Sequence, residues 1–169
     1  FNLNFCYKRE SLEFSYYYLA SLLYLNDVKD QRNRYMTQPN IIISEQDLHR
    51  LETMLEHQTK LTATMQHLEN ELARAEVVSP QNIPENIVTM NAKVLITIAP
   101  STESTEVTLV YPHDFHGDKG QVNVIAPIGA AILGLAEGQD IEWPQPNGDL
   151  MKVKIEKILF QPEREGQFL

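Results

Sequence analysis

The chain has 169 residues, 43 % of them hydrophobic, enough for one ordinary domain or two small ones with a real core, so wholesale disorder is excluded. A formal net charge of -9 disfavours direct nucleic-acid binding and favours a basic protein surface as partner. The single cysteine, Cys6, can form no internal disulfide and belongs to no zinc or iron–sulfur cluster, a usage that fits a reducing cytosol.

Residues 1–35 differ from the rest. They hold Cys6 and six of the seven tyrosines (Tyr7, Tyr16, Tyr17, Tyr18, Tyr24, Tyr35), and their apolar residues follow no sustained period. The run Ser15 to Leu25 falls short of the roughly 20 residues that cross a bilayer, and no A-x-A-like cleavage site follows it. Composition changes at Met36. Residues 1–35 are therefore expected to be non-native upstream sequence included by a misplaced start, or a fragment edge, the alternative being a genuine extension with a loosely packed helix over 11–25, and a cytoplasmic location is expected.

Residues 36–80 read as a helical hairpin. Ile41 to Ile43 form a short β-branched run, a small strand or a staple. Ser44 and Asp47 make a capping-box-like helix start. Leu48, Leu51 and Leu55, with Met54 beside them, recur on one helical face. Met65, Leu68, Leu72 and Ala75 follow at gaps of 3, 4 and 3, the spacing of a helix buried along one seam. Thr59, Lys60, Leu61, Thr62, Ala63 and Thr64 lie between as the predicted tip. Each arm is roughly 20 Å long at 1.5 Å per residue. Glu69, Glu71 and Glu76 beside Arg74 read as a solvated face, and His49, His57 and His67 as exposed polar positions.

Residues 81–169 read as β-rich. Alternation marks strands at Val94–Ile98, Val107–Tyr111 and Met151–Ile155, with a shorter one at Val122–Val124. Ile141 and Trp143 lead into Pro146-Asn147-Gly148, a hairpin turn in which Asn-Gly tolerates positive φ. One short helix, Pro127 to Leu133, starts on proline and is stopped by Gly134. The predicted fold class is α+β: an antiparallel helical hairpin, then a twisted antiparallel sheet packed on one short helix. His113, Asp114, His116 and Asp118 form the densest set of metal-ligand types, but their loop spacing favours solvated residues over a site. No nucleophile elbow, P-loop or dinucleotide fingerprint occurs.

Two segments carry a resemblance: PENIVTMNAKVLI, residues 84–96, and VNVIAPIGAAILGLAEGQDIEWPQPNG, residues 122–148. The second resembles the C-terminal domain of the GreA and GreB transcription factors. With VTMN, LVYP and the late QPE, the chain from Met36 to Leu169 is similar to the Rnk branch of that superfamily, the regulators of nucleoside diphosphate kinase. The resemblance implies an N-terminal antiparallel coiled coil and an FKBP-like C-terminal domain. In Gre factors that domain docks on the rim of the RNA polymerase secondary channel, and the long coil enters the channel with acidic tip residues that help hold a catalytic magnesium. Here the arms are much shorter, and the tip from Thr59 to Thr64 carries no carboxylate, whereas magnesium needs hard oxygen ligands placed together.

The resemblance therefore implies a polymerase-binding regulator without transcript cleavage, in possible competition with Gre factors, and with no catalytic residue, cofactor or metal. The docking corner it implies is Ile125, Ala126 and Pro127, where Gre factors carry an acidic residue and Ser before the proline. Read from the residues alone, the same corner is a plain helix entry. Two other functions stand beside this one. A peptidyl-prolyl isomerase would need aromatic walls from Tyr111, Phe115, Trp143, Phe160 and Phe168. A Gre-type cleavage factor is disfavoured by the tip.

Overall fold

Ser44 ends a short strand and begins a helix. The computed structural model of the chain describes residues 39–168, and the expectations for residues 1–35 fall outside these. Strand β1 (Ile42–Ser44) runs directly into helix α1 (Glu45–Glu56), whose first turn is capped by Ser44 Oγ accepting the Asp47 amide at 3.0 Å. Helix α2 (Ala63–Ala73) starts the same way, with Thr62 Oγ1 accepting the Met65 amide at 3.3 Å. Ala63 and Thr64 thus form the first turn of α2, and Thr64 is buried. Leu51 and Leu55 of α1 and Met65, Leu68 and Leu72 of α2 are buried, as their spacing requires.

Strand β2 (Glu76–Val78) follows α2 and pairs parallel with β1, Ile42 opposite Glu76. This pairing was not foreseen. A parallel pair needs a long crossover, and the two helices supply it. Two polar positions also correct the sequence reading. Glu71 is buried, not solvated, and pairs with Arg74, which also donates to the Pro39 carbonyl at 3.0 Å. Burial raises the Glu71 pKa and Arg74 opposes the rise. His67 is half-buried with its ring edge-on to Trp143, centroids 6.1 Å apart, and burial lowers its pKa.

The main sheet contains β3 (Lys93–Ile98), β4 (Ser104–Val110), β5 (Gln121–Asn123), β6 (Asp140–Pro144) and β7 (Leu150–Phe160), in the order β5-β4-β3-β7-β6. All neighbours are antiparallel except β4 and β5, which are parallel. The expectation of an all-antiparallel sheet is corrected there. The chain turns back through a 3₁₀ turn at Pro112–Asp114 and through Gly117 and Gly120, both at positive φ, before β5 begins. Where β3 pairs with β7, Leu95 faces Lys157 while Ile96 faces Ile155, so Glu156 is an extra residue in β7. That bulge returns Ile158 to the core face after Met151, Val153 and Ile155.

Helix α3 (Pro127–Ile132) packs near β5, β6 and β7. Gly134 ends it at φ +74, and its carbonyl accepts the Ile42 amide at 3.0 Å. A Cβ at this position would fall 2.6 Å from Ile41 Cβ, so glycine permits the end of α3 to meet β1. Leu51 and Leu68 from the helices share one buried cluster with Val94, Ile96, Leu109, Val153 and Ile155 from the sheet. The segments on either side of residue 80 therefore share one core. Each such side chain contributes about 1.5–3 kcal/mol when fully buried.

Candidate functional site: a corner and an apolar groove

The corner between β5 and α3 is built by Asn123. Its Oδ1 accepts the Ile125 amide at 3.1 Å, and its carbonyl accepts the Ala126 amide at 2.9 Å. This turns the chain so that Ala126 caps α3 in extended conformation and Pro127 takes the first helical position. The Ala126 methyl cannot accept a hydrogen bond, so α3 has no side-chain cap. Gly129 then passes close over the strand end. A Cβ there would lie 2.1 Å from the Asn123 carbonyl oxygen.

Ile125, Ala126 and Pro127 are each partly exposed and line one groove of about 600 Å³. Ile128, Val122, Met151 and Phe115 complete its apolar surface, with Gln121, Asn123 and Gln145 as polar members. No charged side chain lines it. Such a surface recognises a partner by desolvation of apolar area, with amides to fix orientation. Phe115 is 42 % exposed. It was read in the sequence only as a candidate aromatic wall. The loop after the 3₁₀ turn brings it to the corner, a placement that no local sequence signal marks.

The other expected features lie elsewhere. Thr59, Lys60, Leu61 and Thr62 belong to the connection between α1 and α2, while Ala63 and Thr64 are helical. The nearest carboxylates along the chain, Glu56 and Glu69, sit on the two helices. Among the described residues no three His, Cys, Asp or Glu side chains converge as a metal site. His113 pairs with Asp114 at 3.2 Å and stacks on Tyr111. Of the five aromatic residues considered for an isomerase pocket, only Phe115 lines the groove. Tyr111 and Trp143 are buried in the core, and Phe168 is exposed.

The short motifs of the sequence meet one another as internal ties. Gln161 is fully buried, and its Nε2 donates to the carbonyls of Pro84 and Ile87 at 2.9 and 2.8 Å. Thr89 Oγ1 donates to Glu163 Oε2 at 2.7 Å. VTMN is thus joined to QPE. Burial raises the Glu163 pKa, the Thr89 bond opposes that rise, and the charge of Asp47 adds to it.

Comparison with known proteins accords with these features. Residues 39–78 match the family described as Rnk N-terminus, and residues 83–160 match the family described as transcription elongation factor, GreA/GreB, C-term. The regulator of nucleoside diphosphate kinase of Escherichia coli (strain K12) is 36 % identical over 135 residues, 79 % of this chain and 99 % of that protein. The transcription elongation factor GreA of Helicobacter hepaticus is 29 % identical over 110 residues, 63 % of this chain and 68 % of that protein. A solved prokaryotic transcription elongation factor GreA/GreB from Nitrosomonas europaea superposes with a TM-score of 0.60 at 43 % identity. It is covered completely and spans 73 % of this chain. A two-helix N-terminal segment, a mixed sheet with its capping helix, and a relative matched almost end to end place this chain in the Rnk family of the GreA/GreB superfamily.

Proposed function

We propose that this Rnk-family regulator binds RNA polymerase at the rim of the secondary channel through the corner Ile125, Ala126 and Pro127, without stimulating transcript cleavage. The observation that carries the reading is the groove: the implied docking residues line one uncharged, largely apolar surface, with Phe115 exposed beside them. An apolar anchor at the centre of such an interface is worth about 2 kcal/mol or more. The net charge of -9 favours a basic partner surface around that anchor.

In this reading α1 and α2 act as a short antiparallel hairpin whose tip is the 57–62 connection, and the sheet domain is the FKBP-like docking module. A helix of 12 residues is about 18 Å long, too short for a deep probe. The tip offers threonine hydroxyls and Lys60 in place of carboxylates, so it supplies no magnesium ligand set of its own. Occupying the rim would exclude Gre factors from it. The name of its relatives extends the reading to the level of nucleoside diphosphate kinase, reached through transcription in the cytoplasm. Co-purification of the full chain with core RNA polymerase tests the proposal; retention with the polymerase is expected, and elution of the chain alone would refute it.

A further inference from the structure

Among the described residues the main sheet ends in two edge strands, β5 and β6, and they differ. β6 carries Asp140 and Glu142 and closes on Pro144, the charges and proline that keep a further strand from adding to an edge. β5 is Gln121, Val122 and Asn123, with no charge and no proline, and all three are partly exposed. Its pairing with β4 uses alternate backbone groups. The Gly120 carbonyl accepts the Thr108 amide at 2.7 Å, and the Val124 amide donates to the Val110 carbonyl at 3.0 Å. The backbone groups of Gln121 and Asn123 therefore point away from β4. On that side the Gln121 amide donates to the Asp118 carbonyl at 3.0 Å, and the Asn123 carbonyl accepts the Ala126 amide at 2.9 Å. The Gln121 carbonyl and the Asn123 amide are left without a hydrogen-bond partner among the described residues.

We propose that this edge takes an extended polypeptide segment, which adds a strand beside Val122 and lays an apolar side chain in the groove next to Phe115. One N–H of the segment donates to the Gln121 carbonyl and one of its carbonyls accepts the Asn123 amide, the two bonds that a strand of either direction makes around Val122. The groove is continuous with the edge, since Gln121, Val122 and Asn123 belong to both. Its polar members are also oriented. Gln121 Oε1 accepts the His116 amide at 3.0 Å and Asn123 Oδ1 accepts the Ile125 amide at 3.1 Å, so each side chain has its amino group, a donor only, left for a partner. An extended segment meets such donors with its backbone carbonyls. The charged side chains nearest along the chain are Asp114, Asp118 and Lys119 before β5 and Asp149 in the turn before β7; none lines the groove. Three carboxylates against one lysine favour a segment with an uncharged centre and basic flanks. This inference deepens the polymerase reading and rests on it only for the partner's identity.

The test is an NMR titration of the full chain with a short capped peptide of alternating valine and threonine, with a lysine at each end. The Asn123 amide and the Phe115 ring are expected to shift saturably, while the amides of β6 stay. The same peptide N-methylated at its central residues has lost the donors that pair with an edge, and it should bind at least about tenfold more weakly. Phe115→Ala should weaken the unmodified peptide at least about threefold with an unchanged melting temperature, because the residue is exposed. A titration without saturation, or equal shifts along β6, would overturn the proposal. Equal affinity for the two peptides would overturn it as well, since the groove would then take side chains without a strand. The titration contains no polymerase, so its failure refutes strand addition alone and leaves docking at the corner to the co-purification.

Discussion

Tyr111, at the exit of β4, donates its phenolic hydrogen to Asp47 in the first turn of α1, 2.6 Å away and 64 residues distant in sequence. Both residues are buried, at 5 % exposure each. Asp47 also supplies the amide that Ser44 caps, so one residue closes the start of α1 and fastens that helix to the sheet. Burial is the main reason the Tyr111 pKa is raised; the Asp47 charge adds to it and Arg50 opposes it. The hydroxyl therefore remains a donor throughout the physiological range.

Removing that donor should be costly. Tyr111→Phe is expected to destabilise the chain by about 1–3 kcal/mol, because a buried acceptor loses its partner. Asp47→Asn keeps an oxygen that can accept and should cost less. Urea denaturation of both single variants and of the double variant measures their coupling. Additive losses would show that the bond contributes nothing.

The corner of α3 makes two opposite predictions. Ala126→Ser places an oxygen where the helix lacks a cap and should stabilise by about 0.5–1 kcal/mol. Gly129→Ala drives a methyl into the Asn123 carbonyl and should destabilise by more than about 2 kcal/mol, since backbone rather than a flexible side chain must move. Thermal melts of the two variants should shift in opposite directions.

Glu163 gives a signed pH dependence. Its folded pKa lies above the ordinary value of 4.5, so its contribution is fully present below that value and is lost as pH rises through the raised folded value. Glu163→Gln keeps an acceptor for Thr89 and removes the charge beside Asp47. The variant should equal the parent in acid and exceed its stability near neutrality, by no more than about 0.5 kcal/mol because the group is half-exposed. Denaturant midpoints measured from acid to neutral pH check this. A variant less stable than the parent near pH 7 would contradict it.

Much of the fold was legible because it rests on local periodicity. The seam Met65, Leu68 and Leu72, the cap at Ser44, the helix-starting Pro127, the Asn147-Gly148 turn and the alternation in β7 are each written within about a dozen residues. Long-range pairings were not legible. Glu71 looked solvated because Arg74 and the Pro39 carbonyl give it a buried setting that no helix-face pattern encodes. The three-residue strands β2 and β5 are too short to declare a direction, and only the returning loop makes β5 parallel to β4. For the same reason the sequence pointed to Ile125, Ala126 and Pro127 but not to Phe115, whose place in the groove depends on that loop.

The connection between α1 and α2 predicts a negative result in a cleavage assay. Thr59, Lys60, Leu61 and Thr62 bring no carboxylate to a magnesium ion. Adding the chain to a backtracked polymerase complex should leave RNA shortening at the polymerase-only rate. Magnesium-dependent acceleration would refute the tip reading.

The most direct measurement is the affinity of the full chain for core RNA polymerase, compared with that of Ala126→Arg and Phe115→Ala. Ala126 is partly exposed at the corner, and Phe115 is exposed in the groove, so neither change should lower the melting temperature appreciably. Ala126→Arg adds bulk and positive charge at the corner and is expected to weaken binding at least tenfold, about 1.4 kcal/mol. Phe115→Ala should weaken it in the same direction through lost apolar contact. Parent-like affinity in both variants, with the fold intact, would contradict docking through this corner.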